Sequence, residues 1–254
     1  RMPQPFTLSC LLIILVKCRG TLIDVHLPLK LVQNSTTDLC PYHQALEANL
    51  RLRQLSIKEE IDFFSLHTPH ITLYQADFDI VNKTDEFINA TAEAIESIKN
   101  AQPWCHISWP NASASIVSHD YAMYPISNND CLQSLSNHIV KALKGYIHRP
   151  PIIPDWIYSL PRKQRERSLA LIQTYGSPNV MERFQPHVTV GYDAVYPSVR
   201  RKRVLDSLTT PNMCQANLAV VSIANVGVGG SVLQDGVISN LPLDSNRIES
   251  LSLF

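Results

Sequence analysis

The sequence predicts an α+β protein made by internal duplication, and three observations point there. The segment Pro69-His70-Ile71-Thr72-Leu73 returns as Pro186-His187-Val188-Thr189-Val190. Each copy reads as a short strand preceded by a helical stretch, one ending near Ile57 and the other near Tyr175, so the copies share context as well as text. At 254 residues and 45% hydrophobic content, the chain can bury a core and form one domain of two lobes sharing a cleft.

The elements follow in order. Leu22 to Leu29 alternates as a strand and ends at Pro28. Gln44 to Ile57 has helical spacing, with Leu46, Leu50 and Ile57 near one face. After the strand centred on Ile71 and Leu73, Thr84 is placed to cap a helix with Asp85 and Glu86 in its first turn. Phe87, Ile88, Ala92, Ile95 and Ile98 give that helix an apolar stripe. Short strands are expected from Cys105 to Trp109 and from Ser113 to Ser118, then a helix carrying Leu132, Leu135, Ile139 and Leu143. The prolines of the stretch His148 to Pro154 mark it as a link. Beyond it come a helix from Arg162 to Tyr175, the strand of Val188 and Val190, a helix from Ser198 to Leu208, and strands at Ala216 to Val226 and Val232 to Ser239. The expected organisation is a leader at 1–20 and a single domain over 21–254. Within that domain lobe 1 covers about 21–147, the link 148–154 and lobe 2 about 155–243.

Residues two apart on a strand share a face, so His70 points with Thr72 and His187 with Thr189, while Ile71, Leu73, Val188 and Val190 turn into a core. Two imidazoles that titrate near neutrality can act as acid and base together. Threonine hydroxyls can donate to the non-bridging oxygens of a phosphate. That combination suits displacement at phosphorus and requires neither metal nor cofactor.

Two His-x-Thr-x motifs with hydrophobic x positions, in a duplicated chain, resemble the 2H phosphoesterase superfamily. The resemblance runs from about Leu22 to Leu241, with the two motifs as its specific part. It implies a bilobal fold of two pseudo-symmetric antiparallel sheets, helices outside and a cleft between. It further implies His70 and His187 as the catalytic pair and Thr72 and Thr189 as phosphate contacts. Which histidine is the acid is left open by the motif.

Other residues carry weaker signals. Tyr74 lies four residues beyond His70 and so would share its face; with Tyr121 and Tyr124 it is a candidate to line the cleft. Tyr192 would face the core unless Gly191 introduces a bulge. His67 and His70 have chelate-like spacing, but an odd offset on a strand sends them to opposite faces, so no metal site is expected. Arg162, Lys163, Arg165 and Arg167, and the run Arg200 to Arg203, read as solvated helix faces, with guidance of an RNA backbone as the functional alternative.

Met2, the apolar run Phe6 to Val16 and Gly20 read as a signal peptide, the run being well short of the roughly 20 residues that span a bilayer. No membrane span is expected in the mature chain. Sequons at Asn34, Asn82, Asn89 and Asn111 are glycosylation candidates, and Cys40, Cys105, Cys131 and Cys214 allow two disulfides in any of three pairings. The expected location is therefore the secretory lumen or the exterior. Lysine plus arginine balances aspartate plus glutamate at 22 each, so an RNA or nucleotide partner must be met by a local site. The alternatives are a secreted nucleotide- or RNA-binding module without turnover, or a cytosolic phosphodiesterase that processes RNA ends. The sequence is silent on oligomeric state.

Overall fold

The computed structural model describes residues 20–29, 40–99, 105–209, 214–218 and 220–243. The expected leader, apart from Gly20, and the sequon at Asn34 lie outside them. The strands are β1 (Thr21–Pro28), β2 (His70–Phe78), β3 (Cys105–Ser108), β4 (Ile116–Ser118), β5 (Tyr121–Pro125), β6 (His187–Tyr192), β7 (Gln215–Leu218), β8 (Val220–Val226) and β9 (Val232–Pro242). The helices are α1 (Cys40–Leu55), α2 (Thr84–Lys99), α3 (Asp130–Leu143), α4 (Arg162–Tyr175) and α5 (Ser198–Asp206). Three sheets form, ordered β2-β1-β8-β9, β4-β5-β6 and β3-β7, and every pairing is antiparallel. The α+β class and its antiparallel sheets follow the sequence reading; β5 is not among the expected strands, and the strand expected from Ser113 to Ser118 is shortened to β4.

The sheets do not follow a division of the chain at 148–154. β1 and β2 pair with β8 and β9 from the C-terminal half, while β5 pairs with β6 across the link. α1 crosses over too, packing on β6, whereas α3 packs on β2 within its own half. An antiparallel neighbour can come from any part of the chain, so duplicated order along the sequence need not give one sheet per half.

The duplication persists in the pairing of the two motif strands. Pro28, Leu27 and His26 of β1 lie opposite His70, Ile71 and Thr72, as Pro125, Tyr124 and Met123 of β5 lie opposite His187, Val188 and Thr189. Both ladders then slip by one residue, at Leu73/Tyr74 on β2 and at Val190/Gly191 on β6. A bulge leaves a backbone group without its ladder partner. Here a buried helix side chain supplies it each time. Ser136 of α3 donates its hydroxyl to the Leu73 carbonyl at 2.8 Å, and Asn49 of α1 donates its amide to the Val190 carbonyl at 3.0 Å.

Asn49 also explains why the expected apolar face of α1 is displaced. Its buried face is Ala45, Ala48, Asn49 and Leu52, small enough for Asn49 to reach β6, whereas Leu50 and Ile57 are exposed. The cysteines pair as Cys40–Cys214 and Cys105–Cys131, with Cα separations of 5.3 and 5.4 Å. Among the described residues no helix is long and apolar enough to cross a membrane.

Candidate active site

His70 and His187 open β2 and β6, two strands of different sheets that run against each other. Each ring places Nδ1 on a carbonyl two residues back, His70 on Thr68 at 2.8 Å and His187 on Gln185 at 2.9 Å. A carbonyl only accepts, so Nδ1 carries hydrogen in both rings and Nε2 is the atom left to react. The two histidines are near enough for the charge of His70 to lower the pKa of His187.

Around His70 the site is ionic. Asp24 of β1 is fully buried; its Oδ2 accepts the Thr72 hydroxyl at 2.7 Å and lies 3.5 Å from His70 Nε2. A third imidazole, His26, has its ring centroid 4.8 Å from that of His70 and its Nδ1 3.6 Å from Asp24 Oδ1. Burial pushes the Asp24 pKa up, but the close approach of the His26 and His70 rings, with their charges, holds it below the usual carboxylate value. Burial likewise pulls His70 down, yet the nearby Asp24 carboxylate and the Thr68 carbonyl carry it above 6.5. His187 falls below 6.5, because burial outweighs the help of Gln185 and the charge of His70 acts in the same direction. Burial lowers His26 as well, against the pull of Asp24.

Farther along β6, past Thr189, the environment is aromatic. The bulge returns Tyr192 to the face of Thr189, where it meets Tyr121 with ring centroids 5.0 Å apart. The turn Val228–Gly230 lies on Tyr192; a Cβ on Gly229 would fall 2.5 Å from that ring, so only glycine fits. Glu59 accepts the Tyr192 backbone N–H and pairs with the fully buried Arg201 at 3.2 Å.

Several expectations are corrected by burial. Tyr74 does not line the cleft: the bulge at Leu73/Tyr74 turns it into the core, edge-on to Phe78, with its hydroxyl on the Tyr175 carbonyl at 2.6 Å. Tyr124 also lies in the core, opposite Val188 and 4.9 Å from the Trp109 ring. Tyr121 does share the Thr189 face. Thr72 and Thr189 are not equivalent, because the Thr72 proton is given to Asp24. His67 accepts the Asp62 N–H at 2.9 Å, which ties a turn rather than a site. The basic run at 200–203 is not one surface, since Arg201 is buried on Glu59 and Lys202 pairs with Asp206. Asn82, Asn89 and Asn111 are exposed.

Sequence reasoning passed over Asp24 and His26. Their signal was there: two polar residues at a spacing of two in the otherwise apolar strand Leu22-Ile23-Asp24-Val25-His26-Leu27.

The paired His-x-Thr-x strands and their repeated bulges bring two histidines together in one site. Residues 82–229, more than half of the chain, match the family described as "Protein of unknown function (DUF1045)", and the chain belongs to that family. The match includes His187 and Thr189 and begins beyond His70. No curated protein matches the sequence. Among solved structures the chain is similar to E. coli LigT complexed with ATP, at 11% identity and a TM-score of 0.39, over 89% of this chain and 99% of that one. The apo form of E. coli LigT gives 10% identity and a TM-score of 0.40 over 88% and 98%, and its NADP+ complex 9% and 0.39 over 89% and 98%.

Proposed function

We propose that this protein is a metal-independent phosphodiesterase of the secretory lumen or exterior, acting on RNA or nucleotide phosphodiesters, 2′,3′-cyclic phosphates or RNA strands, with His70 and His187 as acid and base. The observation that carries the reading is the matched seating of the two imidazoles. Each opens an edge strand of its sheet and gives Nδ1–H to the carbonyl two residues behind, which leaves Nε2 as the nitrogen able to exchange a proton. In-line displacement needs one such nitrogen on each side of the phosphorus.

Binding without turnover would need charge at the cleft but no pair of proton-transfer groups. The two disulfides and the exposed sequons at Asn82, Asn89 and Asn111 support an oxidising, glycosylating compartment over the cytosol.

The test is incubation with 2′,3′-cyclic nucleotides and short RNAs in EDTA, followed by phosphorus NMR. Turnover is expected to persist in EDTA and to fall by about a hundredfold or more in His70→Ala and in His187→Ala. Turnover abolished by EDTA, or kept in both variants, overturns the reading.

A further inference from the structure

We infer that Asp24 is a positioning residue that makes His70 the acid and leaves His187 the base, an inference that rests on the two-histidine reading above.

The duplication isolates the difference between the two halves. Pro28 faces His70 as Pro125 faces His187, so the surroundings of the two rings begin alike. Next along β1 and β5, His26 stands opposite Thr72 where Met123 stands opposite Thr189. Then Asp24 stands opposite Gln75 where Tyr121 stands opposite Tyr192. One half of a repeated framework has thus received a carboxylate and an imidazole at the positions where the other has a phenol and a thioether.

Asp24 acts on the reacting atom itself. Both histidines already carry hydrogen on Nδ1, so the atom whose protonation matters is Nε2, and Asp24 Oδ2 is 3.5 Å from Nε2 of His70. The titratable groups facing His70 are Asp24 and His26 from β1, His187 from β6, and His67 from the segment ahead of β2. Asp24 is the one anion among them. Both imidazoles beside it are buried, and their pKa values move in opposite directions, His70 up and His26 down. His26 turns its Nδ1 to the Asp24 backbone carbonyl at 3.4 Å, and its buried Nε2 has no hydrogen-bond partner among the described residues. A second proton there would be unpaired, so the cation beside Asp24 sits on His70. Asp24 Oδ1 has no hydrogen-bond partner among the described residues, a cost for a buried carboxylate that the neighbouring cation offsets.

The reaction then has a direction. Nε2 of His187 takes a proton from water as the water oxygen bonds to phosphorus. The bond from phosphorus to the ribose oxygen breaks, its electron pair stays on that oxygen, and the oxygen takes the proton of His70 Nε2. One water is consumed, His187 ends protonated and His70 neutral, and exchange with solvent restores both.

The experiment combines an NMR titration of labelled histidines with two substrates. One is a 2′,3′-cyclic nucleotide, whose leaving oxygen needs a proton; the other is a nucleoside p-nitrophenyl phosphodiester, whose leaving group does not. His70 is expected to titrate above His187 in the wild type, and the order to be lost in Asp24→Asn. On the cyclic substrate Asp24→Asn should lose about ten- to a hundredfold and its high-pH limb should move to lower pH. On the p-nitrophenyl ester the losses in Asp24→Asn and His70→Ala should be clearly smaller than on the cyclic substrate, while His187→Ala is slow on both. Asp24→Glu, which keeps the charge, should recover part of the loss, and does so in a folded protein if Asp24→Asn fails to fold. His187 titrating above His70, or equal losses on both substrates, overturns the inference. A wild type that turns over no phosphodiester while the titration order holds overturns the two-histidine reading, and the acid role with it, but not the ordering that Asp24 imposes.

Discussion

Gly191 occupies in β6 the bulge position that Tyr74 occupies in β2. In one sheet the space behind the bulge holds a tyrosine ring; in the other it holds Glu59 and Arg201, which reach the position from outside the strand. A Cβ on Gly191 would fall 2.5 Å from Leu52 Cδ1, 2.7 Å from Glu59 Oε2 and 3.0 Å from Arg201 Nη2. Gly191→Ala is therefore expected to lower stability by about 1–3 kcal/mol, the usual cost of overpacking. Because Glu59 also accepts the Tyr192 N–H, the variant should lose turnover under conditions where it remains folded. Urea unfolding and steady-state rates check both; unchanged stability would mean that the pair yields freely.

That bulge also marks how far the sequence could be read. The period of two placed His70 beside Thr72 and His187 beside Thr189, because both pairs precede the slip. Beyond it the same rule sent Tyr74 to the wrong face, and left Tyr192 dependent on what Gly191 does. Nothing local distinguishes Leu73-Tyr74 from an ordinary pair of strand residues; the slip is held by Ser136 and Asn49, which come from helices distant in sequence. Lobe membership was hidden for a related reason. Helix and strand periods are local, whereas the pairing of β1 with β8, or β5 with β6, joins opposite halves of the chain. Asp24 was legible as a polar residue in an apolar strand, but its partners only became visible with the pairing of β1 and β2.

The two threonines should separate on substitution. Thr72 gives its proton to Asp24, so removing its hydroxyl frees a buried carboxylate and disturbs His70. Thr189 faces Met123 and is the hydroxyl free to donate to a phosphate oxygen under the proposed reaction. Thr189→Val is expected to lower kcat by about tenfold or more with the pH profile unmoved, as for loss of one donor to a developing charge. Thr72→Val should shift the profile as well. Identical profiles in the two variants would make their roles equivalent.

The disulfides should differ in weight. Cys40–Cys214 joins residues 174 apart and ties the start of α1 to the segment entering β7, whereas Cys105–Cys131 joins residues 26 apart. Loop-closure entropy grows with the logarithm of that separation and gives ceilings of roughly 5 and 3.5 kcal/mol. Replacing Cys40 and Cys214 together by serine is expected to destabilise more than replacing Cys105 and Cys131. Denaturant midpoints of the two double variants decide it, and the reverse order would show that strain or residual structure outweighs chain entropy.

Stability should depend on pH through the same four groups that define the site. His70 has a folded pKa above 6.5, so its contribution is complete below 6.5 and is lost as pH rises through the folded value. Asp24 lies below 3.8 when folded, so its contribution is present above 3.8 and is lost as pH falls through the lower value. His26 and His187 are depressed below 6.5, and each favours the folded state above 6.5 and ceases to do so as pH falls through its folded value. Acidification from pH 7 therefore sets two histidines against one and then meets the loss of Asp24. Asp24→Asn removes both the carboxylate contribution and the reason for a raised His70. All three imidazoles should then favour the neutral form in the fold, and the variant should lose stability below pH 6.5 more steeply than the wild type. Urea midpoints measured from pH 5 to 9 test this, and parallel curves for the two proteins would show that Asp24 does not hold the His70 proton.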